Sequence, residues 1–104
     1  MKYNTKIVQA WFVANHLPTP ILEYKFSPER RWRFDFAWEI HKVALEVQGG
    51  LFVRGGHNRG GYMIKEHEKR NAAAGMGWRI LYCQPSEVLT TDMVKIIRKA
   101  LQCL

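Results

Sequence analysis

Two segments of alternating hydrophobicity, joined by a very short link, constrain the fold more than any other feature of the chain. The first, residues 32–38, places four aromatic side chains on one face of a strand: Trp32, Phe34, Phe36 and Trp38. The second, residues 42–48, alternates apolar and polar residues in the same way. Because only about three residues separate the two segments, they are expected to form an antiparallel hairpin.

The hydrophobic pattern also predicts the register of this hairpin. The aromatic face of the first strand must share a side with the apolar residues of the second: Val43, Leu45 and Val47. This condition is met only if the sequence numbers of two residues paired across the hairpin have an odd sum. A turn centred on residues 40–41 makes that sum 81. Asp35 is then expected opposite Glu46. Arg33 is expected opposite Gln48.

Two carboxylates facing each other across a hairpin repel and require a counter-charge. Arg33 is expected to supply part of it, and a divalent cation such as Mg²⁺ would supply more, because Mg²⁺ prefers carboxylate and carbonyl oxygens. A metal held there would lower the pKa of a bound water and stabilise charge on a phosphate. The alternative is a polar sheet face with two ion pairs, Asp35–Arg33 and Glu46–Lys42.

The rest of the chain predicts one α/β domain with the order α, β, β, β, α, β, α, and 104 residues suit a single core. The remaining helices and strands are expected at residues 4–16, 21–26, 62–74, 77–83 and 91–102. Residues 49–61 contain six glycines and are predicted to form a mobile loop.

The charge of the chain favours a polyanionic partner. There are 16 Lys and Arg residues against 9 Asp and Glu, a net charge of +7, and the isoelectric point of about 9.7 is typical of nucleic-acid-binding domains. The cations concentrate in residues 25–33 and 54–70. Seven of them are candidates for contacts with phosphates: Arg30, Arg31, Arg33, Arg54, Arg59, Lys65 and Arg70.

Neither membrane insertion nor secretion is expected from the sequence. No segment approaches the roughly 18 to 20 apolar residues of a membrane helix, and the N-terminus lacks the apolar core of a signal peptide. Cys83 and Cys103 form no CxxC motif. These features predict a cytoplasmic domain without a disulfide framework.

The run RFDFAW (33–38), followed by LEVQGG (45–50), resembles the PD-(D/E)XK nuclease superfamily, in which an acid on one strand precedes a (D/E)-x-K motif on the next. The stretch GGHNRGGYMIKEHEKRNAAAGMGWRILYC (55–83) is similar to small phage and prophage nucleases related to very-short-patch-repair endonucleases. The resemblance covers about residues 21–85. It implies a restriction-endonuclease-like fold, with a mixed central β-sheet flanked by helices.

The resemblance also implies a metal site on the hairpin. Asp35 and Glu46 match the two metal-binding acids of the superfamily, and the carbonyl of Val47 would be a further ligand. Glu23 resembles the extra acid that many members place ahead of the core. The implied metal is Mg²⁺, for which Mn²⁺ is expected to substitute.

The main departure from the superfamily pattern is Gln48, which stands where Lys is usual. Lys69 on the following helix is expected to supply that cation, with Lys65 one turn earlier as a substitute. Glu66 stands where the related sequences usually have Asp. His57 is a candidate for contacting the scissile phosphate or assisting a water; the alternative for it is a hydrogen-bonding role within the loop.

The resemblance implies a Mg²⁺-dependent endodeoxyribonuclease of phage DNA processing, recombination or repair, in the cytoplasm of a bacterial or phage-infected cell. A chain this short has little room to read sequence, so structure-selective or weakly specific cutting is expected. Cutting both strands requires two active sites, which favours a homodimer.

Three alternatives remain open at this point. The first is a non-catalytic nucleic-acid-binding module on the same fold, which Gln48 favours. The second, a nuclease with a metal bound through His57, Asn58 and His67, lacks the expected context of a catalytic His ahead of a strand pair. The third, a purely structural basic protein, leaves the facing carboxylates unexplained.

Overall fold

A computed structural model describes residues 3–49 and 59–102. The helices and strands follow the predicted order: α1 (Thr5–Ala14), β1 (Ile21–Lys25), β2 (Arg33–Trp38), β3 (Val43–Val47), α2 (Arg59–Gly75), β4 (Arg79–Cys83) and α3 (Thr91–Gln102). A short 3₁₀ helix, Pro85–Glu87, joins β4 to α3. Each expected helix and strand is present, with ends that differ from the prediction by at most three residues.

One boundary departs from the prediction in a way that affects the loop before α2. The helix already begins at Arg59, so the last three residues of the glycine-rich segment 49–61 are helical rather than part of a mobile loop. Each glycine lowers the stability of a helix by only about 1 kcal/mol relative to alanine. The remaining residues of this 17-residue helix offset that loss. Residues 50–58 lie outside the described residues.

The four strands form one mixed sheet in the order β1-β2-β3-β4. The pairs β1/β2 and β2/β3 are antiparallel, whereas β3 and β4 are parallel. Parallel neighbours need a long crossover, and α2 lies in that crossover between β3 and β4. A mixed sheet with helices on both faces is therefore the architecture of this single domain.

Two hydrophobic cores lie on opposite faces of the sheet. The first core joins Val8 and Phe12 of α1 and the apolar face of α3 to residues of β2 and β3. The second core joins Ala73 of α2 and Trp78 to the other face of the same strands. The domain thus has three layers, with α1 and α3 on one side and α2 on the other.

The predicted register of the β2–β3 hairpin is confirmed. Its three pairs have residue numbers that sum to 81: Phe36↔Leu45, Ala37↔Ala44 and Trp38↔Val43. The apolar alternation of the sequence therefore predicted the register correctly, because a shift by one residue would have moved every apolar side chain of β3 to the other face.

The prediction that all four aromatic residues of the first strand share one face is wrong. Phe36 and Trp38 belong to the first core, but Phe34 belongs to the second core, with Trp32 packed against it. In a regular strand, residues 34 and 36 would point to the same side. The alternation is therefore interrupted at Asp35, the residue between them.

In the neighbouring strand β1, the alternation of side chains between the two faces of the sheet is interrupted opposite the same part of β2. Leu22 packs against the first core and Tyr24 against the second, although they are two residues apart. Between them Glu23 has a φ of 53°, in the left-handed region that few residues other than glycine adopt. This left-handed residue interrupts the alternation of β1 beside Asp35, where the alternation of β2 is interrupted as well.

No helix within residues 3–49 and 59–102 is long and apolar enough to cross a membrane.

Candidate active site

Asp35 and Glu46 lie just beyond the last residue pair between β2 and β3, where side-chain carboxylates accept hydrogen bonds from the backbone of the opposite strand. Glu46 Oε2 accepts a hydrogen bond from the backbone N–H of Asp35 at 3.1 Å. In return, Asp35 Oδ2 accepts one from the backbone N–H of Val47 at 2.7 Å. Each carboxylate thus accepts a hydrogen bond from the opposite strand, and the two carboxylates lie close together, as the sequence predicts.

Lys69 of α2 supplies the nearest cation. Its Nζ lies 2.6 Å from Glu46 Oε1, and the two side chains are only 14% and 7% exposed. The same Nζ lies 5.7 Å from the ring centre of Phe34. The expectation that the helix after the hairpin brings Lys69 to the acidic pair is confirmed, whereas Lys65 is exposed one turn earlier.

The counter-charges expected within the sheet are wrong. Arg33 Nη1 pairs with Glu23 Oε1 at 2.8 Å instead of neutralising the acidic pair. Lys42 Nζ lies over the Trp78 ring, 5.2 Å from its centre, so the polar sheet face with a Glu46–Lys42 pair is wrong as well. The strands pair only from residue 36 toward the turn, and this leaves the acidic end of the hairpin open to α2.

The pKa values of both carboxyl groups reflect an acidic pair removed from water. Burial raises the pKa of Asp35, and the charge of Glu23 adds to this, against the Val47 N–H and Lys69. Burial also raises the pKa of Glu46, against the hydrogen bond and charge of Lys69. The positive charge of Lys69 thus offsets the effect of burial on the pKa of the two carboxyl groups only in part.

Tyr3 is a partner of this site that sequence reasoning missed. Its hydroxyl lies close to Asp35, and burial together with the Asp35 charge raises the pKa of Tyr3 far above its usual range. The hydroxyl therefore stays protonated and available as a donor. Tyr3 precedes α1 and meets Asp35 only through the tertiary fold, so no local pattern in the sequence signals the contact.

The acidic pair opens into a cleft of about 430 Å³. Four acids line it: Glu23, Asp35, Glu46 and Glu66. Three cations line it as well: Arg31, Arg33 and Lys69. Gln48 and Trp32 complete the polar and aromatic parts of the wall. Acids and cations thus line the cleft together, which suits an anionic ligand that approaches with a metal ion.

Gln48 is placed in the cleft by its backbone. Its N–H donates to the carbonyl of Cys83 on β4 at 2.8 Å. This bond continues the β3–β4 pairing past Val47. Gln48 therefore lines the cleft, and the lysine that lines it comes from α2.

The other predicted residues are distributed more widely. Arg30 lies over the Trp32 ring at 4.7 Å and Arg70 over the Tyr82 ring at 4.7 Å. Arg70 also pairs with the buried Glu66 at 3.4 Å, although the geometry at Nε and Oε2 is not that of a hydrogen bond. Arg70 thus contacts both Glu66 and the Tyr82 ring.

Some predicted residues cannot be placed in the site. His57 and Arg54 lie outside the described residues, as does Asn58, and Arg59 is described only as the first residue of α2. His67 is exposed on α2 and is not among the described residues that line the cleft.

The donor set at the hairpin fits a hard cation. Asp35, Glu46 and the Val47 carbonyl offer the oxygen ligands that Mg²⁺ takes, and Mg²⁺ commonly uses one or two carboxylates together with water and phosphate. Glu23, predicted as a third ligand, is engaged by Arg33. Within residues 3–49 and 59–102, no three His, Cys, Asp or Glu side chains are grouped to hold a metal ion.

Comparison with known proteins identifies no relative. No protein-family model matches the chain, and neither a curated protein nor a solved structure shows significant similarity to it. The likeness to PD-(D/E)XK nucleases is therefore carried by the sequence motifs alone.

Proposed function

We propose that this protein is a Mg²⁺-dependent endonuclease that hydrolyses phosphodiester bonds in DNA. The observation that carries the proposal is the meeting of Asp35, Glu46 and Lys69 in one cleft, from two strands and a helix. Burial raises the pKa of both acids, so a buried acidic pair with a single lysine reduces the stability of the fold. A role of the two acids in a cation-dependent reaction would explain why they are present.

Asp35, Glu46 and the Val47 carbonyl would hold the Mg²⁺, and Mn²⁺ would take the same oxygen ligands. When bound, the ion lowers the pKa of water and offsets the charge that develops on the phosphate. The protein fixes the ligands in advance, since the reciprocal hydrogen bonds across the hairpin hold both carboxylates in place.

Lys69 would orient the scissile phosphate. An ammonium group has three donors, and the Glu46 carboxylate takes one of them at 2.6 Å. The remaining donors are available to a phosphate oxygen or to the attacking water. Gln48, which lines the same cleft, can position that water through its amide but cannot exchange a proton with it.

Arg31 and Arg33, which line the cleft, would bind the DNA backbone. Contacts with phosphates give affinity without sequence information, so weak sequence specificity is proposed. A second copy of the chain would supply the second active site for cutting both strands. The resemblance to phage nucleases supports a role in phage DNA processing, recombination or repair within the bacterial cytoplasm.

Incubation of supercoiled plasmid with the purified protein tests the proposal. We expect nicking or linearisation with Mg²⁺ or Mn²⁺ and none with EDTA. Asp35→Ala and Glu46→Ala should each reduce cleavage by at least about 100-fold, since even residues behind a metal ligand are worth 10- to 100-fold. DNA binding measured by fluorescence anisotropy in EDTA should survive both substitutions.

Asp92→Ala is the matched control, because Asp92 is an exposed acid in the first turn of α3, on the other side of the sheet. It should cleave like the wild type. A wild-type protein that binds DNA but does not cut it with either metal would favour the non-catalytic binding module. Wild-type cleavage rates in Asp35→Ala would place the reaction elsewhere.

A further inference from the structure

A ladder of stacked rings leads from Lys69 to the wall of the cleft. Phe34, beside the Lys69 ammonium, stacks on Phe26 with ring centres 4.2 Å apart and planes 5° apart. Phe26 in turn stacks on Trp32, at 6.1 Å and 15°. Phe26 and Phe34 are 5% and 0% exposed, whereas Trp32 is half-buried and lines the cleft. Trp32 is therefore the accessible end of the ladder.

The group that covers Trp32 is held weakly. The Arg30 guanidinium lies 4.7 Å from the ring centre. Arg30 also lies 4.0 Å from Glu68, but both side chains are more than half exposed, and exposed ion pairs contribute little. An arginine in this position can turn toward a phosphate and leave the indole face to another planar group.

The chemistry around Trp32 suits a nucleotide whose base is not paired. Arg31 and Arg33 precede and follow it in sequence and line the same cleft, so cations stand beside an aromatic face. Proteins that bind single-stranded nucleic acid use this combination, with phosphates on the cations and bases stacked on the rings. A base within an intact duplex is already stacked on both sides and must first be extruded.

We propose that Trp32 stacks against an unpaired nucleobase, and that the preferred substrate is DNA with a single-stranded segment beside the scissile phosphate. The statement about cleavage rests on the proposed nuclease function, while the stacking itself does not. Rigid support from the buried Phe26–Phe34 pair fixes the orientation of the indole. The unpaired nucleotide would then set the position of the neighbouring phosphate relative to Asp35 and Glu46.

Fluorescence of 2-aminopurine tests the stacking without any cleavage. The probe base is placed either in a single-stranded overhang next to a duplex or within the fully paired duplex, and binding is followed in EDTA. We expect the wild type to quench the unpaired probe and to bind that DNA more tightly than the paired form. Trp32→Leu should lose the quenching and bind the overhang DNA at least about fivefold more weakly.

Two further variants distinguish the loss of the Trp32 ring from a loss of folding. Trp32→Phe retains a ring and should recover much of the quenching, with circular dichroism and the Tm confirming that each variant is folded. Trp11→Phe is the matched control, because Trp11 is a half-buried tryptophan of α1 that packs against the first core, on the other side of the sheet. It should behave like the wild type.

The outcomes separate the two proposals. Absence of quenching by the wild type, or an undiminished preference for the overhang in Trp32→Leu, would overturn the stacking site. Cleavage with Mg²⁺ that ignores unpaired bases would overturn the proposed substrate preference and leave the nuclease function standing. Quenching that depends on Trp32, without cleavage in Mg²⁺ or Mn²⁺, would support the stacking site and contradict the nuclease function.

Discussion

Asp35 and Glu46 occupy the site at a cost to the stability of the fold. Each carboxylate accepts a backbone N–H from the opposite strand, yet burial still raises the pKa of both. A raised pKa means that the folded state holds the proton more tightly than the unfolded chain does. Near neutral pH, where both groups are ionised in the unfolded chain, their charges therefore reduce the free energy of unfolding.

Asp35→Asn is expected to stabilise the protein at pH 7 while abolishing cleavage. Asn retains an oxygen that accepts the Val47 N–H but carries no charge to desolvate. The native state of the wild type binds more protons than the unfolded state, so its stability falls as the pH rises from about 4, the unfolded pKa of Asp, through the raised folded pKa. Urea denaturation at pH 4, 5.5 and 7 should show a shallower decline for Asp35→Asn. An identical decline in both proteins would contradict this explanation.

Glu23 offers a second test at the scale of one residue, because its φ of 53° is unfavourable for any residue with a Cβ. In an ordinary strand, glycine is less stable than alanine by roughly 0.5–1 kcal/mol. At Glu23 the order should reverse, since the left-handed conformation costs a non-glycine residue about 1 kcal/mol or more. Glu23→Gly should therefore be more stable than Glu23→Ala, as measured by chemical denaturation.

Both variants lose the ion pair with Arg33 equally, so the comparison isolates the backbone. If Glu23→Ala proves the more stable of the two, the left-handed conformation does not explain why β1 and β2 change faces at this level.

At the scale of helices and strands, the hairpin was predictable because its determinants are local. The alternation in β2 and β3 and the short link between them predicted a register that the structure confirms. These features depend on neighbours in sequence or on a single strand pair. The approach of Lys69 to Glu46, a contact between α2 and β3, was expected instead from the resemblance to the nuclease superfamily.

The change of faces at Asp35 was not predictable in this way. Phe34 and Phe36 are both aromatic, so the sequence alternation runs through Asp35 without a break, whereas the side chains enter different cores. The irregularity coincides with Glu23 on the adjacent strand, a residue that no local pattern marks as left-handed. Tyr3 is a similar case, since its contact with Asp35 depends on tertiary packing.

Lys69→Met is expected to show how strongly α2 depends on the acidic pair. Removing one partner of a buried ion pair leaves an uncompensated charge, and the variant should lose roughly 3 kcal/mol of stability at pH 7. The loss should shrink as the pH falls and Glu46 takes up a proton. Adding Glu46→Gln should restore most of the stability, but neither variant should cleave DNA.

Lys65→Met is the matched control on the same helix, because Lys65 is exposed one turn earlier. Its stability should stay within about 0.5 kcal/mol of the wild type, and its cleavage rate should be unchanged. Denaturation and plasmid cleavage measured on both variants check the assignment. If Lys65→Met abolishes cleavage while Lys69→Met does not, the lysine of the site has been assigned to the wrong turn of α2.

For the whole molecule, the distribution of the net charge of +7 determines how a polyanion can bind. The cleft is lined by four acids and three cations rather than by a uniformly basic face. Such a lining allows a polyanion to approach while a cation neutralises the acids. The arginines differ in their availability, since Arg33 already pairs with Glu23 at 2.8 Å.

Salt dependence should distinguish these arginines. Each phosphate neutralised by a cation contributes about −0.9 to the slope of log K against log salt concentration for duplex DNA. Arg31→Ala should therefore reduce the magnitude of the slope by about 0.9, whereas Arg33→Ala should reduce it less, because Glu23 offsets its charge. Lys95→Ala, the loss of an exposed cation on α3, should leave the slope unchanged.

Anisotropy titrations in EDTA between 50 and 200 mM salt measure the slope without cleavage. Equal effects of Arg31→Ala and Lys95→Ala would mean that the affinity comes from the overall charge, and that DNA does not bind through the cleft. A selective effect of Arg31→Ala would place the DNA backbone within reach of Asp35 and Glu46, because all three residues line the same cleft.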